Sequence, residues 1–216
     1  MIGKGKSKTI LISSTTKSKF IFIHNYKVAG TSLRQSFAAH INTSEWLINN
    51  LLYYLGIKKI GKYIGVKKHA RALDVKSALG EDYKKYFVFG LVRNPWDWEV
   101  SRYHYQLKNT KHFRHKFVKD LKSFEDYIRW RDTHNRTQLS FFADDSGELL
   151  VDYIGKIEEL DKFYATLESK LGVKLSKYEL NKSRESNEYR QFYNDETKEV
   201  VERIYKQDID TFGYTF

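Results

Sequence analysis

Lys27, Gly30, Thr31 and Ser32 place a cation, a small residue and two hydroxyls in one short stretch, Lys27-Val28-Ala29-Gly30-Thr31-Ser32. Small residues let the backbone approach a ligand, and hydroxyls and N–H groups donate to oxyanions, so this combination suits a phosphate or sulfate. A second candidate anion site follows at Arg93-Asn94-Pro95-Trp96-Asp97, with Ser101 further along. Arginine presents a planar fork of donors that matches a phosphate bidentately, and a serine adds a hydroxyl. Among the seven histidines, which can exchange a proton near neutral pH, His69 is the candidate base and His24 and His134 are its rivals.

The elements that must position these groups are legible from pattern. Phe20-Ile21-Phe22-Ile23 is a short continuous apolar run, expected of a central strand covered on both faces. His24, Asn25 and Tyr26 end it, and a helix is expected over 31–40. A helix opening beneath such a loop directs the N–H groups of Ala29 to Leu33 and the positive end of its dipole at one spot. The loop differs from the common P-loop, because Lys27 precedes Gly30 rather than following a second glycine. Taken alone, it also fits a plain strand-to-helix turn in which Gly30 relieves backbone strain. The second strong strand is Tyr86–Val92, again apolar throughout. Behind it, Asn94 suits an N-cap, Pro95 the first helical position and Asp97 the first turn. Arg93 then falls at the carboxyl end of a central strand, where α/β sheets place ligands.

Along the rest of the chain, a short strand is expected over 9–12, a helix over 44–57 and helical turns over 74–79. The basic, glycine-spaced segment 56–71 is either a solvated face or a holder for an anionic acceptor. A polar basic connection spans 108–122, a helix 124–131, a strand 149–154 and an amphipathic helix 158–171 stopped by Gly172. Residues 181–194 read as a polar loop, and a last helix runs over 195–208. Strands alternating with helices predict an α/β fold with a parallel sheet.

The 216 residues suit a single domain, 1–216, with 41% hydrophobic and 16% aromatic residues marking a globular chain. Thirty-eight Lys and Arg against 27 Asp and Glu leave +11, which favours polyanionic partners without choosing among them. The absence of cysteine excludes disulfides, thiolate metal sites and a cysteine nucleophile. No secretory signal or membrane span is evident, so a soluble cytoplasmic protein is expected.

Taken together, the strand–loop–helix with Lys27 to Ser32 and the later strand ending in Arg93-Asn94-Pro95-Trp96 with Ser101 resemble the sulfotransferase superfamily. Its enzymes use 3′-phosphoadenosine 5′-phosphosulfate (PAPS). Thr137-Gln138, the segment 151–160, Asn181-Lys182-Ser183, Tyr189 and Tyr193 add to a likeness with the carbohydrate branch and its bacterial relatives, over residues 19–216. The resemblance implies a three-layer α/β/α fold with a central parallel sheet, P-loop NTPase-like. It also implies sulfuryl transfer from PAPS to a hydroxyl, expected on a carbohydrate, with no metal, no nucleic acid partner and no membrane span. Ala29, Gly30, Thr31, Ser32 and Leu33 are then expected at the 5′-phosphosulfate, with Lys27 beside the oxygen bridging phosphorus and sulfur. Arg93 and Ser101 are expected at the 3′-phosphate, and Lys182 and Arg184 over the donor phosphates. His69 is the candidate base by position, although a histidine in a basic segment is also an ordinary surface residue. His24 is expected to end its strand structurally, and His134, Arg136 and Gln138 to line the acceptor site, where capping or surface roles suit Arg136 and Gln138 equally. Trp96 and Trp98 are expected in the core. Relatives commonly carry proline where this chain has Tyr26. The competing readings are a nucleotide kinase or hydrolase of the same broad fold, although neither strand ends in an aspartate placed for magnesium, and a non-catalytic basic module.

Overall fold

The computed structural model describes residues 11–13, 19–41, 43–178 and 188–216. Its elements in chain order are β1 (Leu11–Ser13), β2 (Phe20–Ile23), α1 (Gly30–Ser36), α2 (Thr43–Tyr54), β3 (Lys59–Ile60), β4 (Tyr63–Ile64), α3 (Ala72–Leu79), β5 (Phe87–Val92), α4 (Pro95–Lys108), α5 (His115–Asp120), α6 (Phe124–Thr133), β6 (Tyr153–Lys156), α7 (Leu160–Leu171), α8 (Asp195–Ile204) and α9 (Lys206–Phe212). The described residues of Met1–Val92 and Ser140–Asn181 form one compact unit, and those of Arg93–Leu139 and Lys182–Phe216 a second.

The first unit is an α/β structure on a mixed, mostly parallel four-stranded sheet, ordered β1-β2-β5-β6. β2, β5 and β6 run parallel, and β1 pairs antiparallel with β2 at the edge. The central strands are parallel, while β1, whose connection to β2 is too short for a crossover helix, makes the sheet mixed. The two apolar runs meet as neighbours, Phe20 opposite Phe87 and Ile23 opposite Gly90. Phe20, Phe22, Phe89 and Leu91 share one face with Leu33 of α1, the Phe37 that follows it, and α7 (Phe163, Tyr164, Leu167, Leu171). On the other face Phe142 fills the space above Gly90, where a Cβ would lie 2.1 Å from its ring. Both faces are buried, which explains why these strands are apolar at successive positions.

Several boundaries differ from the sequence expectation. β6 begins later than expected, because Leu149 bridges Ala143 and Asp152 clasps Val88, accepting its N–H at 2.7 Å through the side chain. The first helix is α1 followed by a 3-10 turn over Ala38–His40, and segment 56–71 contains the β3–β4 hairpin. Gly172 stops α7 in the left-handed conformation, φ 63°, as expected.

The second unit is helical. Trp96 and Trp98 are buried with Tyr127, Ile128, Val201 and Tyr205, so both tryptophans are core residues as expected. At its centre the fully buried Glu99 carboxylate pairs with Arg131 at 3.2 Å and Arg102 at 3.1 Å, and accepts hydroxyls from Tyr127 and Tyr205. Burial raises its pKa, but the two guanidiniums and two hydroxyls outweigh that and hold Glu99 below the usual range. The basic connection 108–122 contains α5. The expected last helix divides into α8 and α9, because Tyr205 leaves helical geometry at φ −114° and turns its ring onto Trp98.

Candidate functional site

In the first unit the loop from β2 to α1 is held in unusual backbone conformations. Lys27 (φ 60°) and Ala29 (φ 54°) are its non-glycine residues in the left-handed region. That region costs side-chain-bearing residues energy and tends to persist where geometry is functional. The strain does not sit at Gly30. Gly30 is required for space: a Cβ there would lie 1.8 Å from Nε2 of His24. The ladder of α1 begins with the N–H of Leu33 donating to Ala29 at 3.0 Å, so the N–H groups of Gly30, Thr31 and Ser32 precede it. Thr31 is exposed and Ser32 buried.

His69 joins this loop from the connection before α3. Its Nδ1–H donates to the His24 carbonyl at 2.8 Å, because a carbonyl can only accept. That bond selects the tautomer and leaves the lone pair on Nε2. Its ring stacks on Tyr26, centroids 4.2 Å apart, and lies 4.5 Å from the His24 ring. Burial, with Lys68, Arg34 and Lys67 nearby, lowers the His69 pKa to about 4, against the raising effect of the carbonyl bond. His69 is therefore neutral at neutral pH. His24 is 3% exposed and packs on Phe22. Burial first, then the neighbouring His69 and cations, holds it well below the ordinary range. It fills the space under Gly30 and offers its carbonyl to His69.

In the second unit Arg93 precedes α4. Asn94 caps that helix, its side chain accepting from the Trp96 N–H at 3.1 Å, with Pro95 first in the helix. Arg93 Nε donates to Asp97 at 2.7 Å. Asp97, the partner of Arg93, and Ser101 stand one turn apart on one face of α4. Ser101 is 8% exposed. Gln138 is fully buried and brackets the Arg93 backbone, accepting its N–H at 3.0 Å and donating to its carbonyl at 2.6 Å. Asp208 on α9 in turn accepts the N–H groups of Gln138 at 2.7 Å and Leu139 at 2.8 Å. Burial raises Asp208 to about 6, against the lowering effect of those two bonds.

Neither a protein-family model, nor a curated protein, nor a solved structure matches the chain. The site is therefore read from its own geometry.

That geometry brings Lys27, Gly30, Thr31, Ser32 and His69 into one part of the first unit, and Arg93, Ser101 and Gln138 into one part of the second. Gln138, expected to line an acceptor site, is instead inaccessible, and both ends of its amide serve Arg93. His134 is exposed at the end of α6, stacked on Trp130 at 5.1 Å, and Arg136 is exposed in the following connection. Lys182 and Arg184 lie outside the described residues, as do Thr9, Asn181 and Ser183. Sequence reasoning missed Asp208, Asp97 as an Arg93 partner, and Arg34, whose buried guanidinium has its pKa lowered to about 10 and acts on both histidines. The signal for Arg34 was its place on α1 one turn beyond Gly30; Asp208 carried none, since it falls at the end of the helix expected over 195–208 and the residues it serves are distant in the chain.

Proposed function

We propose that the chain transfers a sulfuryl group from 3′-phosphoadenosine 5′-phosphosulfate to a hydroxyl, on a carbohydrate, within a three-layer, P-loop-like α/β framework. The observation that carries the reading is His69: a neutral imidazole with its tautomer selected by the His24 carbonyl, packed against the residue that precedes Lys27. Removing a hydroxyl proton needs a lone pair on a fixed nitrogen, and Nε2 is that nitrogen.

The donor set of each unit fits one end of the donor by its chemistry. In the first unit the N–H groups of Gly30, Thr31 and Ser32, the two hydroxyls and the Lys27 ammonium suit the 5′-phosphosulfate. In the second, the Arg93 fork and the Ser101 hydroxyl suit the 3′-phosphate. The donor supplies an activated sulfuryl group. Lys27 balances negative charge gathering on the departing phosphate, and its strained backbone holds it ready before reaction. His69 Nε2 accepts the acceptor hydroxyl's proton. Arg34, Lys67 and Lys68 keep the surroundings positive, which attracts the anionic donor and disfavours a protonated His69.

Titration calorimetry with 3′-phosphoadenosine 5′-phosphate, without added metal, tests the reading. Micromolar binding is expected, to be lost in Arg93→Ala and with adenosine 5′-phosphate as the ligand. Binding indifferent to the 3′-phosphate would refute it.

A further inference from the structure

We propose that α2 and the β3–β4 hairpin form a docking surface for an anionic lipid bilayer, a role independent of the transferase reading. α2 buries Glu45 and Asn49 together with Leu52, and carries an apolar stripe outward. Glu45 and Asn49 are each 2% exposed, whereas Leu47, Leu51, Tyr54 and the following Leu55 are 55, 56, 69 and 60% exposed. Their positions, i, i+4, i+7 and i+8, make one continuous stripe along the helix.

The inner face has a structural task. Asn49 Oδ1 accepts the Ile64 N–H at 2.9 Å, tying the hairpin to the helix. The Gly65 N–H donates to Lys58 at 3.0 Å, and a Cβ at Gly65 would lie 2.2 Å from the Ile57 carbonyl oxygen. The hairpin is thus seated against the end of α2 and continues its outer surface with Ile60, 56% exposed, and the exposed Lys58, Lys62 and Lys67.

Charge identifies the occupant. From Thr43 to Lys68 the chain has five lysines and one acidic residue, the buried Glu45. A second copy docking stripe to stripe would bring lysines of 43–68 against lysines, and Asp82 beside the hairpin is already paired with Lys59 at 3.2 Å and Lys85 at 2.8 Å. A nucleic acid or free polyanion would use the lysines and leave the leucines wet. Exposed aliphatic side chains with a tyrosine and flanking lysines instead match a membrane interface, with acyl chains below and anionic headgroups at the rim.

The test is co-sedimentation of the full chain with unilamellar vesicles of phosphatidylglycerol and phosphatidylcholine, against phosphatidylcholine alone. The altered residues are exposed, so circular dichroism of Leu47→Glu/Leu51→Glu and Lys58→Glu/Lys62→Glu should match the wild type. Selective binding to the anionic vesicles, weakened by salt and reduced about tenfold or more in each double variant, is the expected result. Three results overturn the proposal: no preference for anionic vesicles, binding that survives Leu47→Glu/Leu51→Glu, or a dimer in sedimentation velocity that this variant dissolves.

Discussion

At the scale of single residues, the His69 tautomer matters most. A histidine in a lysine-rich segment would ordinarily titrate near neutrality and offer either nitrogen. Here one carbonyl occupies Nδ1–H and burial removes the charge, so Nε2 is left as an acceptor over the whole physiological range. If the chain transfers a sulfuryl group with His69 as base, His69→Gln cannot take up the proton, and kcat is expected to fall about 10²- to 10⁴-fold in a sulfuryl-transfer assay. Affinity for 3′-phosphoadenosine 5′-phosphate, by calorimetry, should stay within about threefold of wild type. An unchanged kcat would remove His69 from the chemistry; joint loss of affinity and rate would make it a structural support of the loop. The residue type was visible in the sequence, whereas the carbonyl partner, from a segment far away in the chain, was not.

Among the elements, the start of α4 shows how Arg93 is braced. β5 ends in a run of buried apolar residues, and the chain must leave the strand and enter a helix with Arg93 between them. Asn94 and Pro95 begin the helix; Gln138 satisfies the Arg93 backbone; Asp208 satisfies the backbone of Gln138 and Leu139. Gln138→Ala leaves the N–H and C=O of Arg93 without those partners, at a cost of about 1–3 kcal/mol in chemical denaturation. If Arg93 holds a 3′-phosphate, the same variant should lose affinity for 3′-phosphoadenosine 5′-phosphate more than for adenosine 5′-phosphate. Equal loss for both would confine Gln138 to stability. The N-cap and proline were readable because their signals are local. The bracket was not, because Gln138 reaches Arg93, and Asp208 reaches Gln138, from other parts of the chain.

For the molecule as a whole, the buried histidines couple folding to pH. His69 has a pKa near 4 in the fold against 6.5 for an ordinary histidine, so between those values the unfolded chain binds more protons. Stability conferred by neutral His69 is therefore complete above pH 6.5 and is lost as pH falls toward 4. Asp208, raised to about 6, works in the opposite direction, losing stability as pH rises from its ordinary range through 6. Comparing wild type with His69→Gln removes the common contribution. The stability advantage of the wild type should shrink by on the order of 2 kcal/mol between pH 7 and pH 4 in urea titrations. An advantage that stays constant over that range would show that His69 is not held neutral by the fold.

The sequence by itself determined the two central apolar strands, their burial and the two stretches rich in groups suited to anions. Those features arise from local composition: apolar runs must be covered, and Asn94-Pro95 or Gly172 act on the residues beside them. Tertiary structure decided the strand order, the antiparallel edge at β1, the break at Tyr205 and the division of the described residues into two units. It also decided which nitrogen of His69 is basic, why residue 30 must be glycine, and that Gln138 faces Arg93. Each of these depends on atoms brought together from distant parts of the chain, where spacing along the sequence carries no information about contact.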